Sequence, residues 1–205
     1  MKLFPKIIPV FPLSGVIYFP KTNLPLNIFE QRYLDLVNDT YKKDKFMGMV
    51  QSQRHGNELY KVGCLGKISD FKKIKDGRVL INLTGVTRFK LLEEIDNNKL
   101  YREFKVDYKN YEIDLNEIKK NLQTGSLINK AKVFFKKNGI LLNWREFEKL
   151  DENQKINTLS MISPVTNEEK QKLLEALTME DKIEALESIM SFYIHDFNIN
   201  NRTVQ

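Results

Sequence analysis

The hydrophobic pattern of this chain changes period part-way along, and that change limits the fold more than any single motif. Up to about residue 110 the apolar residues come in short runs or in strict alternation. Phe104, Val106 and Tyr108 alternate with Lys105, Asp107 and Lys109, a strand with one wet face. Residues 24–29 and 46–50 are short apolar runs. Asp76-Gly77 is a hairpin signal between residues 65–74 and 79–84, with Val79, Ile81 and Leu83 on one face of the return strand. Short strands without regular helices between them point to a barrel or rolled sheet, not a parallel α/β sheet. One helix interrupts them at about 30–43, where Tyr33, Leu36, Val37 and Tyr41 share a stripe opposite Gln31, Asp35, Asn38 and Lys42.

Beyond about residue 110 the spacing is helical. Asp114 with Glu117 reads as a helix start, followed by Ile118, Leu122, Ile128, Ala131, Phe134 and Phe135, and Asn138-Gly139 as its end. A short helix is expected after Asn143 and another over 152–162, stopping before Pro164. Thr166 with Glu169 predicts a capping box for a helix through Leu177. Thr178 with Asp181 caps a last helix whose stripe is Ile183, Leu186, Ile189, Met190, Tyr193 and Ile194. The expected division is a β-rich subdomain at 1–110, a helical bundle at 111–198 and a polar tail at 199–205.

Several chemistries have no footing in these residues. There is no G-x-x-x-x-G-K-[ST] phosphate loop, no G-x-G-x-x-G, no H-E-x-x-H, no C-x-x-C and no G-x-S-x-G. The single Cys64 and the two histidines, His55 and His195, form no nucleophile–base signature, and Cys64 reads as an inert core residue. Of the carboxylate pairs, Asp151-Glu152, Glu168-Glu169 and Glu180-Asp181 fall at expected helix starts, where the dipole favours acids; Glu93-Glu94 does not. No metal, cofactor or catalytic residue is expected. Pro9, Pro12 and Pro20 interrupt the apolar run 7–20, and no run reaches the length of about 18 residues that a membrane helix needs. With one cysteine, the chain reads as cytoplasmic.

The net charge of +6 is uneven: residues 1–110 carry +8 and residues 111–205 carry −2. The basic half keeps an RNA-binding reading open, with Lys72, Lys73, Lys75 and Arg78 the densest patch. That patch flanks the Asp76-Gly77 turn, and no aromatic–glycine–basic RNA motif accompanies it. The surplus is mostly lysine in a chain also rich in asparagine and isoleucine, a compositional bias more than a binding surface.

The opening is more informative. It reads Ile8-Pro9-Val10-Phe11-Pro12-Leu13, then Val16-Ile17-Tyr18-Phe19-Pro20, then Leu24-Pro25-Leu26-Asn27-Ile28-Phe29-Glu30-Gln31-Arg32-Tyr33. Physically this is a strand, a turn and a second strand running straight into a helix, with prolines limiting strand length. The run resembles the N-terminal substrate-binding domain of the Lon protease family, with Gln31 where the family usually has proline. Val62-Gly63-Cys64-Leu65-Gly66-Lys67-Ile68, Asp76-Gly77-Arg78, Gly85-Val86-Thr87-Arg88-Phe89 and Gln171-Lys172-Leu173-Leu174-Glu175 continue the likeness in order, over residues 7–195.

The resemblance implies an α+β fold: an N-terminal six-stranded pseudo-β-barrel of PUA-like type with one inserted helix, followed by a C-terminal α-helical bundle. It implies a non-catalytic module that binds unfolded or specific protein partners, as a stand-alone homologue and proteolysis adaptor. An RNA-binding PUA-like module and an unrecognised hydrolase are the alternatives; nucleic acid and membrane are not the expected partners. The motif residues are Glu30, Arg32, Tyr33, Arg88 and Phe89. Two roles stand open for them. Glu30, Arg32 and Arg88 form a charge network fastening helix to barrel with Tyr33 behind it, or Arg32, Tyr33 and nearby apolar residues line a peptide groove.

Overall fold

The computed structural model describes residues 4–53, 58–116 and 122–200. His55, Glu117, Ile118 and residues 201–205 of the expected tail lie outside them. Two compact units emerge, Met1–Glu117 and Ile118–Gln205, a later division than residue 110.

The first unit holds β1 (Ile7–Leu13), β2 (Asn23–Ile28), α1 (Gln31–Lys42), β3 (Phe46–Gln51), β4 (Val62–Lys73), β5 (Val79–Ile95), β6 (Arg102–Asp107) and a 3₁₀ helix (Lys109–Leu115). The strands form one mixed six-stranded sheet in the order β2-β5-β4-β3-β1-β6, with a further β5–β6 pairing. Only β1–β3 is parallel, its connection passing through β2 and α1. β5 spans 17 residues, far past the expected end at residue 84. Its first half pairs with β2 and β4, and its second half with β6. The pairings β5, β4, β3, β1 and β6 therefore make an unbroken circuit. Register shifts at Leu65/Gly66, Ile68/Asp70 and Leu91/Glu93 supply the bends such a circuit needs.

The alternation in the sequence is what buries the core. Val79, Ile81 and Leu83 are buried while Leu80 is exposed. Phe104 and Val106 enter a cluster with Ile8, Val10, Leu65 and Phe89. Phe89 is wholly buried. Its ring fits because two neighbours lack side chains: a Cβ would lie 2.8 Å from the ring at Gly48 and 2.7 Å at Gly63. Burying such a side chain contributes about 2–3 kcal/mol. At the hairpin, Gly77 has φ +90° and Ile74 donates to the Arg78 carbonyl at 2.8 Å. On α1, Tyr33, Leu36 and Val37 are buried as expected, but Tyr41 is not. Thr40 takes the inward place, and Tyr41 stacks on Phe71 at 4.3 Å. The Cys64 thiol is buried and donates to the Leu65 carbonyl at 3.7 Å.

Between β1 and β2, Ile17, Tyr18 and Phe19 are buried without forming a strand. The Tyr18 hydroxyl has no hydrogen-bond partner among the described residues. Burial pushes its phenol far above the ordinary value, with Cys64 adding in the same direction. A buried orphan hydroxyl costs about 1–3 kcal/mol. Tyr18→Phe removes the polar atom and keeps the ring, so it is expected to raise the thermal midpoint, a result calorimetry reads directly.

The second unit holds α2 (Gly125–Lys137), α3 (Trp144–Phe147), α4 (Glu152–Ile162), α5 (Asn167–Glu175) and α6 (Met179–Asn200). Thr166–Glu169 closes the expected capping box, and Asp151–Gln154 closes another. Thr178 and Asp181 exchange hydrogen bonds of 3.2 and 3.0 Å at the start of α6. Each such cap is worth about 1 kcal/mol. Three expectations shift. α5 ends at Glu175, leaving Leu177 exposed, and α6 continues through the expected tail boundary to Asn200. Asp114, expected at a helix start, lies in the 3₁₀ helix with its carboxylate held by Arg88, and α2 begins at Gly125.

Candidate functional site

Arg88 and Asp114 are both almost fully buried. The Arg88 guanidinium donates from Nε to Asp114 Oδ2 at 2.9 Å and from Nη2 to Oδ1 at 2.8 Å. The Arg88 backbone N–H adds a third bond to Oδ2 at 2.9 Å. The guanidinium also lies 4.8 Å from the Tyr111 ring centroid, and Thr87 Oγ1 donates to the Tyr111 carbonyl at 3.3 Å. This cluster fastens the 3₁₀ helix to β5. Arg88 is thus separate from the expected Glu30–Arg32 network: the acid that answers it is Asp114, 26 positions along the chain.

Glu30 and Arg32 do meet each other, at 2.8 Å. About half of each side chain is open to solvent, so the pair contributes little, about 0–1 kcal/mol. The Arg32 guanidinium sits 4.5 Å above the Tyr33 ring, which stacks on Phe11 at 4.0 Å. Burial pushes the Tyr33 phenol upward, with Arg32 and Arg102 pulling the other way. Phe29, just past the end of β2, is 66% exposed. Glu30 and Arg32 are therefore at the surface, with Arg32 covering the buried Tyr33 ring, whereas Arg88 and Phe89 are interior.

Through Arg102 this layer approaches a feature the sequence reading missed. A groove of about 550 Å³ lies over β5 and β6, lined by Leu59, Leu91, Leu92, Phe104, Glu94 and Arg102 among others. Leu59, Leu91 and Phe104 are buried; Leu92 is 57% exposed. Leu92 follows inward-facing Leu91 in the strand alternation, and the register shift between Leu91 and Glu93 leaves it without a cross-strand partner. Leu91-Leu92 itself was a usable signal, since two adjacent leucines break a period of two. Arg102 grips Glu94 with two bonds of 2.7 and 2.6 Å and lies 5.0 Å from the Phe104 ring. The hydrogen bond from Arg102 holds the Glu94 carboxyl below its ordinary range. The groove has an apolar floor and a charged rim that includes the Arg102–Glu94 pair, the make-up of a protein-contact patch. Among the described residues no group of three or more His, Cys, Asp or Glu side chains could hold a metal ion. No described helix is long and apolar enough to cross a membrane.

A family model described as the ATP-dependent protease La (LON) substrate-binding domain matches residues 7–191. The chain belongs to this family. Among curated relatives, a Lon protease of Cytophaga hutchinsonii is 30% identical over 100 residues, 46% of this chain and 12% of that protein. A Lon protease of Heliobacterium modesticaldum is 23% identical over 193 residues, 90% of this chain and 24% of that one. The chain thus spans a quarter or less of the length of these Lon proteases. Among solved structures, a Lon N-terminal domain protein from Xanthomonas campestris aligns with TM-score 0.65 at 20% identity, covering 89% of this chain and 97% of that chain. The N-terminal domain of a Mycobacterium avium complex Lon protease gives TM-score 0.65 at 15% identity, covering 91% and 98%. At those identities the structures establish the Lon N-terminal domain fold.

Proposed function

We propose that this chain is a non-catalytic module that binds unfolded or extended protein segments, and that the groove beside Leu92 receives them. The observation that carries the reading is an exposed leucine on a bulge, above buried Leu59, Leu91 and Phe104, with the Arg102–Glu94 pair at the rim. Apolar surface framed by satisfied polar groups suits peptide binding with modest specificity. Exposed Phe29, Glu30 and Arg32 are read as further contact residues, with Tyr33 packed beneath Arg32 while Arg88 and Phe89 hold the sheet behind them. Delivery of bound proteins to a separate protease, as an adaptor, is the cellular form of this reading. The circuit of strand pairings is read as a pseudo-barrel of PUA-like type, and a chain with one cysteine, the buried Cys64, is read as cytoplasmic.

The test is binding of a reduced, carboxymethylated polypeptide that cannot refold, followed by fluorescence anisotropy. Leu92→Glu places a charge on the groove and, being exposed, leaves the fold intact. Losing one central apolar contact of about 1–2 kcal/mol should weaken binding roughly tenfold. Unchanged affinity in the folded variant would remove the groove from the account.

A further inference from the structure

The positive charge of the first unit is unevenly paired. Lys99, Arg102 and Lys105 each meet a glutamate within 2.7 Å. Lys43, Lys45 and Lys67 meet no carboxylate within ion-pair distance among the described residues, and all three line one groove of about 610 Å³. Buried Ile68 and half-buried Val86 give it an apolar component. We propose that this second groove binds an extended acidic segment of a partner protein.

The lysines are placed by the fold rather than scattered. Lys45 takes a left-handed turn after α1, with φ +67°. Its N–H donates to the Thr40 carbonyl at 3.1 Å, and its own carbonyl accepts the Ile68 N–H at 2.9 Å. That second bond ties the α1–β3 turn to β4, so Lys45 and Lys67 keep a set spacing across the groove. The ammonium groups are also held: Lys45 Nζ lies 4.6 Å over the Tyr41 ring, and Lys67 Nζ 5.5 Å over the Phe46 ring. Less freedom is then left to lose when a carboxylate arrives. One acid, Asp44, also lines the groove. Its Oδ1 accepts the Phe46 N–H at 3.0 Å, and the three lysines outnumber it.

The same aromatic residues favour a peptide over a nucleic acid. Binding of single strands relies on free ring faces for base stacking. Here Tyr41 is stacked on Phe71 and carries Lys45, while Phe46 carries Lys67 and meets the Phe4 ring edge-on. What remains on offer is a row of point charges beside apolar surface, and among the described residues no arginine lines the groove to fork onto phosphate.

The proposal does not depend on the Leu92 groove, and the experiment keeps them apart. Fluorescence anisotropy at low salt would compare a labelled octaglutamate, a neutral glycine–serine peptide and a single-stranded oligonucleotide of equal length, each with the full chain. Octaglutamate is expected to bind, with affinity falling as salt rises. Lys45→Gln with Lys67→Gln should weaken it about tenfold, two exposed charge contacts being lost. The exposed pair Lys90→Gln with Lys109→Gln makes the same change in net charge elsewhere and should cost less than about twofold. Leu92→Glu should leave octaglutamate binding in place. Three outcomes overturn the proposal: no octaglutamate binding, equal losses in the two double variants, or an oligonucleotide that binds as tightly as the peptide.

Discussion

Replacing Arg88 by methionine is expected to destabilise the first unit by about 3–5 kcal/mol, because it strands a buried carboxylate. Asp114 is as buried as its partner and accepts bonds from the Arg88 guanidinium and backbone N–H, of which only the backbone one survives the substitution. The pair itself contributes far less than this loss, since removing two charges from water costs nearly what their attraction returns. Arg88→Met combined with Asp114→Leu should therefore recover a large part of the stability lost by Arg88→Met alone. The chain's one tryptophan, Trp144, lies in the second unit, so unfolding of the first in urea must be followed by circular dichroism or tyrosine emission. A single variant costing less than about 1 kcal/mol would mean that the carboxylate finds water or another partner.

Gly85→Ala, three positions earlier in the same strand, is expected to cost about 3 kcal/mol or more. A Cβ there would press into the Phe19 carbonyl oxygen, with the Phe19 carbonyl carbon at 3.0 Å and Pro20 Cα at 3.1 Å. These are backbone atoms that no rotamer change can clear. The segment is pinned to Gly85 on both sides: Lys21 N–H donates to the Gly85 carbonyl at 2.9 Å, and Gly85 N–H donates to the Thr22 carbonyl at 2.9 Å. Overpacking costs about 1–3 kcal/mol, and displacing the loop adds the loss of these bonds. Gly77→Ala makes the contrast. Nothing lies within 4 Å of its Cβ position, and only its φ of +90° is at stake, a cost of about 1 kcal/mol. Urea midpoints should rank Gly85→Ala well below Gly77→Ala; equal midpoints would show that crowding at Phe19 is not the cause.

Both residues belong to the Gly85–Phe89 element that carried part of the family likeness, and they separate what was legible from what was not. The period of the apolar residues predicted the strand faces around Val79, Ile81 and Leu83, and the helices of the second unit with their caps at Thr166 and Thr178. Those features are local: a face or a cap depends on residues two to four positions apart, and the side-chain types alone satisfy it. The order of the matching segments likewise identified the family.

Beyond the Leu91-Leu92 pair the candidate grooves were not legible, and neither was the partner of Arg88. Leu92 has no cross-strand partner because β5 slips register against β6. Lys45 and Lys67 face one another because the Lys45 carbonyl accepts the Ile68 N–H. Arg88 meets Asp114 rather than Glu30 because the 3₁₀ helix brings the acid to β5. By itself, then, the sequence determined the period, the caps, the family and the motif residues. Tertiary structure alone decided which charge meets which and where β5 leaves Leu92 unpaired, since both depend on pairing between segments apart in the chain.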